Sequence, residues 1–307
     1  MALFDYMQQV QRFLHDQRQR SINVDDIRSY VNRARREIAM RTQSIRIVPP
    51  TSGAIVAISV DSPGSGYTNP VVVVSTPDYP NHTPVNPNGD QATASAIAVA
   101  GQILSVSVTY GGDGYQLPTA TIVDPTGQGA ILSVEVEPIW TTIPFQEIYN
   151  LSDIPLGHFP GVKSVFAVTQ VAMIYAQYRY VLPCYPWSTY QAYIRQYPTQ
   201  YLYVPVFCTR FRPGTQGSWN FYPIPSSIFP WDWSCYCIPE DLEDDQSVEA
   251  LPEPWTDAVP YLGASLAFEE LHNLNTAKYF QDKYDVYVKR YSAYAQPGIV
   301  VNPYGGW

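Results

Sequence analysis

The chain has no long hydrophobic run, few cysteines and little charge, and each shortage removes a class of protein. No stretch of about eighteen apolar residues occurs, so no transmembrane helix is expected. The opening MALFDYMQQVQRF carries Asp5 and no apolar core segment, so no secretory leader is expected either. Four cysteines, Cys184, Cys208, Cys235 and Cys237, are too few and too clustered for a disulfide framework in 307 residues. Cys235 and Cys237 lie two apart, on one face of a strand; a CxC pair can ligate a metal, but zinc sites show two such pairs or nearby histidines, so buried free thiols are expected. The four histidines, His15, His82, His158 and His272, are scattered over different segments. No GxSxG elbow, HExxH helix or P-loop appears, which removes the motif-bearing hydrolases and nucleotide-binding enzymes. A carboxylate-pair glycosidase has no fixed spacing and stays open as a reading. The expectation is a protein that is not an enzyme and uses no cofactor or metal.

What charge there is sits unevenly. The net charge is −9, yet residues 1–47 hold nine arginines, no lysine and five acids, so this segment is +4 and the remainder −13. An acidic body argues against a dedicated nucleic-acid binder. For the arginine-rich segment two readings stand: a solvated helix face with intrahelical pairs, or passing contact with phosphate or a partner's carboxylates. The 25 tyrosines and 7 tryptophans are side chains that interfaces favour, large and rigid with a polar end.

The clearest pattern is an internal repeat. Gly53–Asp78 aligns with Gly101–Thr126 at an offset of 48 without gaps, with nine of twenty-six positions identical. Alternating residues give a first strand, a glycine-rich turn follows (PGSGYTNP at Pro63–Pro70, GGDGYQLP at Gly111–Pro118), then a second strand (Val71–Val74, Thr119–Val123) and a third (Ala92–Val99, Ala130–Val136). Each copy is expected as a small all-β unit of about forty residues. Neither GSG nor GGDG is followed by Lys-Ser or Lys-Thr and a helix, so both read as turns and not phosphate loops. Asp61, Asp113 and Asp124 lack the spacing of a calcium loop. The turns, with Tyr67 and Tyr115, are expected to be exposed contact points.

Around the repeat the chain divides. Leu3, Met7, Val10 and Leu14 mark one amphipathic helix, and a second starts at Asn23 with Ile27, Val31, Ala34 and Ile38 as its stripe, making a hairpin over 1–48. The inserted repeat domain spans 51–137, with copies 53–99 and 101–136. An aromatic-rich β domain with a short helix at Trp187–Gln196 covers 138–245; Val162–Tyr180 reads as a hairpin or long strand set, Leu202–Arg210 as a strand, and Trp219–Tyr222 and Phe229–Cys237 as two strands of one antiparallel sheet. The acidic run Glu240–Asp245 reads as a solvated loop. Helices over 246–296 complete a bundle with the first hairpin, and Phe280, Tyr284, Tyr287, Tyr291 and Tyr294 form a heptad-like seam suited to other helices or a neighbouring subunit. The tail 297–307 is apolar and aromatic, either a docking arm or a free end. The fold class is α+β: a helical bundle from both chain ends, a mostly antiparallel β domain, and an inserted two-copy β repeat.

This order of parts, with FYPIP at Phe221–Pro225, CIPEDL at Cys237–Leu242 and LPEPWTDAVPYLGASLA at Leu251–Ala267, resembles the head-to-tail adaptor (connector) proteins of tailed bacteriophages. The resemblance covers about residues 1–48 and 138–296; the repeat departs from the minimal adaptor pattern. It implies a homo-oligomeric ring of about twelve copies beneath the portal protein at the head-tail junction of the virion, made in the host cytoplasm. Further implied partners are tail or nozzle proteins and transient DNA in the lumen, and no membrane is implied; the repeat, read as an outward insertion, offers its turns as candidates for contact with tail fibres, neighbouring adaptors or the capsid. On that reading Arg28, Arg35 and Arg36 line the DNA channel, and Ile299, Val300, Val301, Tyr304 and Trp307 engage the portal. The alternative from a different class is a surface-decorating or carbohydrate-binding module in which Trp219, Trp231 and Trp233 stack on sugars.

Overall fold

Apolar residues at three- and four-residue intervals wind both ends of the chain into helices that share one core. The computed structural model describes residues 2–15, 22–79, 88–175, 178–196, 204–212 and 214–295. It is an α+β protein with mostly antiparallel sheets. α1 (Leu3–Leu14) buries Leu3, Tyr6 and Val10; α2 (Val24–Thr42) buries Ile27, Tyr30, Val31, Ala34 and Ile38. Asn23 occupies the N-cap position of α2, but its side chain makes no cap bond; Asp25 and Asp26 supply the anionic first turn that the helix dipole favours. After the short helix α3 (Trp187–Gln196), α4 (Val259–Glu270) is apolar nearly all round and buried, with Pro260 in its first turn, where a missing N–H costs nothing. A Cβ at Gly263 would stand 3.3 Å from Val10, so the glycine lets α1 lie close against α4. α5 (Leu274–Ala295) closes the group against α4.

The central β region has two sheets. β1 (Arg46–Ile47), β13 (Trp231–Pro239), β9 (Val162–Tyr175) and β10 (Tyr178–Val181) form a four-stranded sheet in that order. β11 (Phe207–Arg210), β12 (Ser218–Tyr222) and β8 (Ile148–Asn150) form a three-stranded one. The hairpin expected over Val162–Tyr180 is present as β9 and β10, and β11 begins at Phe207, residues 201–203 lying outside those described. The two strands flanking Pro223-Ile-Pro225, expected in one antiparallel sheet, stand in different sheets. The reason is Trp231 and Trp233, which are 0% exposed and share one face of β13, so the chain must cross over to close on them. Trp140, Tyr149, Trp219 and Phe221 complete the cluster, with Trp231 and Trp233 edge to face at 5.4 Å and Phe221 4.3 Å from Trp231. This cluster belongs to the same apolar core as the helices.

The repeat has its own small core of Ile55, Ile58, Val74, Ala92, Tyr115 and Ala120. The copies are not separate units. β2 (Ile55–Ser65) pairs with β7 (Gln128–Val136), β3 (Val71–Val74) with β6 (Ala120–Val123), and β4 (Thr93–Val99) with β5 (Gln102–Tyr110). Every ladder therefore joins a strand of the first copy to a strand of the second, because neither copy has a complementary apolar face of its own. The exchange is reciprocal down to single bonds. Asp78 accepts from the N–H groups of Gln116 and Leu117, and Asp124 accepts from those of Thr68 and Asn69, the same turn positions 48 residues earlier. Tyr115 N–H donates to Gly53 and Tyr67 N–H to Gly101, each at 3.0 Å.

Candidate interaction surfaces

The residues singled out from the sequence for contact with other molecules divide into those the fold buries and those it leaves open. Tyr67 (5% exposed) and Tyr115 (0%) are not outward contacts. The Tyr115 hydroxyl accepts from Ala92 N–H at 2.8 Å and donates to the Ser75 carbonyl at 3.1 Å; the Tyr67 hydroxyl accepts from Ala130 N–H at 2.9 Å. Each ring thus fills the repeat and ties its turn to the strand at the end of the other copy. Glycines make room for them: a Cβ at Gly127 would lie 2.2 Å from the Tyr67 ring. Trp219, Trp231 and Trp233 are buried likewise, so they present no face for a sugar to stack on.

The seam of α5 turns inward. Tyr284 is 0% exposed, Phe280 packs on Phe13 of α1 and Phe268 of α4, and Tyr287 and Tyr291 pack against the core. Tyr287 donates its hydroxyl to the Pro254 carbonyl, and burial, then the nearby Asp257 carboxylate, pushes its phenol well above the usual range. A heptad stripe needs a helical partner, and α1 and α4 of the same chain supply it, so these tyrosines leave the set of exposed subunit contacts. The Tyr294 side chain lies outside the described residues, as do Ile299, Val300, Val301, Tyr304 and Trp307.

The three arginines expected to line a channel, Arg28, Arg35 and Arg36, have different fates, because an acidic strap over residues 240–249 crosses α2. Arg35 is 0% exposed. Its guanidinium meets the Glu249 carboxylate through Nε at 3.0 Å and Nη2 at 2.8 Å, and Nη1 donates to the Glu240 carbonyl at 2.6 Å and to Asn32 at 3.2 Å. Asn32 in turn clamps Leu242, donating to its carbonyl at 3.1 Å and accepting from its N–H at 2.9 Å. Burial, with Glu249 adding to it, drives the Tyr6 phenol far above its ordinary value. Arg35 therefore has no surface to offer a channel. Arg36 pairs with Asp241 at 3.2 Å and Arg28 with Asp25 at 2.8 Å, both partly exposed. Arg28, Asn32, Arg36, Asp241, Glu243 and Asp244 line an open polar cleft of about 570 Å³ between α2 and the strap. The strap is a loop exposed at Glu240, Glu243, Asp244 and Asp245, as expected over Glu240–Asp245, but it is also anchored: Leu242 is 1% exposed. The signal was the density of acids over 240–249 matching that of arginines on α2.

Two features of opposite sign remain open. On α5, Lys278, Lys283, Lys289 and Arg290 are exposed and no carboxylate pairs with them among the described residues; Lys283 lies over the Tyr279 ring at 5.3 Å. On the strap, Glu240, Glu243, Asp244 and Asp245 are exposed.

Cys235 and Cys237 are buried in β13, and burial pushes the Cys237 thiol up to about 12, so neither is a ready nucleophile. Among the described residues no group of three or more His, Cys, Asp or Glu could hold a metal ion, and no helix is long and apolar enough to cross a membrane. No protein-family model matches the chain, and no curated protein matches it.

Proposed function

We propose that this chain is a structural subunit of a tailed bacteriophage, a head-to-tail adaptor that works by binding and not by catalysis. The observation that carries the reading is the shared core: α1 and α2 from the start of the chain and α4 and α5 from its end pack together and onto an aromatic β region, while the repeat between them keeps a separate core. In this reading the four helices are the adaptor bundle, 138–245 its β domain and 51–137 an insertion. The termini of the repeat support this, since Glu137 N–H donates to the Ala54 carbonyl at 2.9 Å and Ala54 N–H to the Glu137 carboxylate at 3.1 Å, so the repeat leaves and rejoins the frame at one point. A ring of about twelve subunits docks on the portal protein, carries tail or nozzle proteins below and continues the DNA path, with Arg28 and Arg36 the surviving channel candidates and the tail 297–307 the portal arm.

The test is negative-stain imaging and light scattering of the protein with and without a portal ring. Rings in the presence of portal are the expected result, lost when 297–307 is removed while circular dichroism stays unchanged. A protein that remains monomeric with portal present refutes the reading.

A further inference from the structure

The fold leaves unpaired basic charge on one helix and unpaired acidic charge on the strap, and the contacts of α2 show where the two lie. Arg28, Asn32, Arg35 and Arg36 of α2 face the strap, whereas Tyr30 bonds Glu270 of α4, and Arg41 pairs with Asp285 of α5 at 2.6 Å and lies over Tyr284. At about 100° per residue the first group spans roughly a quarter of the helix circumference and the second stands about half a turn away. Strap and α5 therefore flank α2 on opposite sides, too far apart to neutralise each other within one chain.

The two surfaces match in kind. The outward face of α5 carries Lys278, Lys283, Lys289 and Arg290 with one exposed acid, Asp282, since Asp285 is spent on Arg41. Between these cations stand Tyr279 (56% exposed) and Val286 (57%). From Lys278 to Arg290 the stripe is about 18 Å long. The strap shows Glu240, Glu243, Asp244 and Asp245 with Val248 (51% exposed) beside them, over a similar reach. Glu240 and Glu243 have no side-chain partner among the described residues.

We infer that the outward face of α5 docks on the acidic strap of a second copy of this chain, a head-to-tail contact between unlike surfaces. Such a contact does not saturate in a dimer; repeated around an axis it closes a ring. The inference rests on the ring reading above and names the surfaces that would make it. Charge complementarity selects the partner: a polyanion would use the cations but not Tyr279 and Val286, and would meet the field of a chain of net charge −9. The apolar residues between rim charges are what a protein partner buries.

The test uses the full-length chain in three forms: wild type, a stripe variant (Lys278→Glu, Lys283→Glu, Lys289→Glu, Arg290→Glu) and a strap variant (Glu240→Lys, Glu243→Lys). Asp244 and Asp245 stay, because they hold the strap's turn and the N–H of Phe4. Self-association is followed by sedimentation velocity at low and high ionic strength, with and without portal, and fold by circular dichroism. Each variant alone should associate about tenfold more weakly, salt should weaken the wild type, and mixing the two variants should restore assembly. Wild-type rings with both variants assembling equally well would overturn the inference and leave the ring reading standing; a wild type that never assembles, portal included, would overturn both. A stripe variant that assembles normally but loses retention of a random double-stranded DNA fragment would assign α5 to nucleic acid, and the inference fails.

Discussion

The buried pair of Arg35 and Glu249 makes a sharp prediction. The Glu249 side chain is 8% exposed, and its carboxylate faces two guanidinium nitrogens and the N–H of Leu251. Glu249→Gln keeps the volume and removes the charge, so a guanidinium out of water loses its counterion. Removing one partner of a buried pair costs about 3–5 kcal/mol; the Glu240 carbonyl and Asn32 still hold Nη1, which places this change near the lower end, about 3 kcal/mol. Arg35→Met keeps most of the stem but strands the carboxylate and the Glu240 carbonyl, again about 3–4 kcal/mol. The double variant Arg35→Met with Glu249→Gln leaves no charge stranded, only an amide short of hydrogen bonds, and should cost about 1–3 kcal/mol against about 6–7 for the sum of the singles, so the two changes couple by at least about 3 kcal/mol. Urea titration followed by far-UV ellipticity measures all three against the wild type. If the double variant costs the sum of the singles, or Glu249→Gln costs under about 1 kcal/mol, the pair is solvated and the strap is not clamped to α2.

Three further outcomes are expected. Tyr115→Phe strands the Ala92 N–H in the repeat core and should cost about 1–3 kcal/mol, with faster amide exchange at Ala92; unchanged exchange would mean the hydroxyl is dispensable. The Asp124 carboxylate accepts the N–H groups of Thr126, Asn69 and Gly127, which hold it well below the ordinary carboxylate range. Its folded value is the lower one, so its stabilisation is present above about pH 4 and drains away as pH falls toward the folded value. Asp124→Asn should flatten the acid limb of the repeat's melting profile, and an unaltered limb would reject the assignment. Replacing 51–137 by a short glycine-serine linker should leave the remaining helices and sheets folded by circular dichroism, because Ala54 and Glu137 are hydrogen-bonded neighbours; loss of the helical signal would make the repeat part of the frame.

How far these features were legible in the sequence depends on whether each is local. Helix α3 and the stripe of α5 follow from spacing alone, and the strands β9 and β10 from a run poor in turn signals; all are present. Spacing says that Tyr284 is covered but not by what, and the chain's own core covers it, with Arg41 of α2 over its ring. Arg35 sits with Arg28 and Asn32 on one side of α2 and looks like a solvated charge until Glu249, 214 residues on, is brought to it. Tyr67 and Tyr115 had a clue within the chain: in the G-x-G-Y-x-x-P turn common to both copies the ring is kept while the polar positions around it change, as a side chain held by packing would be. Strands β12 and β13 alternate visibly, yet their pairing is set by partners far along the chain.

The strand exchange within the repeat bears on how such a module arises. A single copy has an unsatisfied edge on each of its three strands, since its ladders all run to the other copy. Before duplication, a peptide of this kind can be stable only as a pair of chains, formed at a rate and to an extent that depend on their concentration. Joining the copies through the Ala100-Gly101 turn makes the meeting intramolecular, with an effective concentration no dilution can lower. Fusion also releases the two halves from identity: Asp78 and Asp124 keep reciprocal bonds from non-equivalent positions of the alignment, a drift that a symmetric pair of chains has no freedom to make.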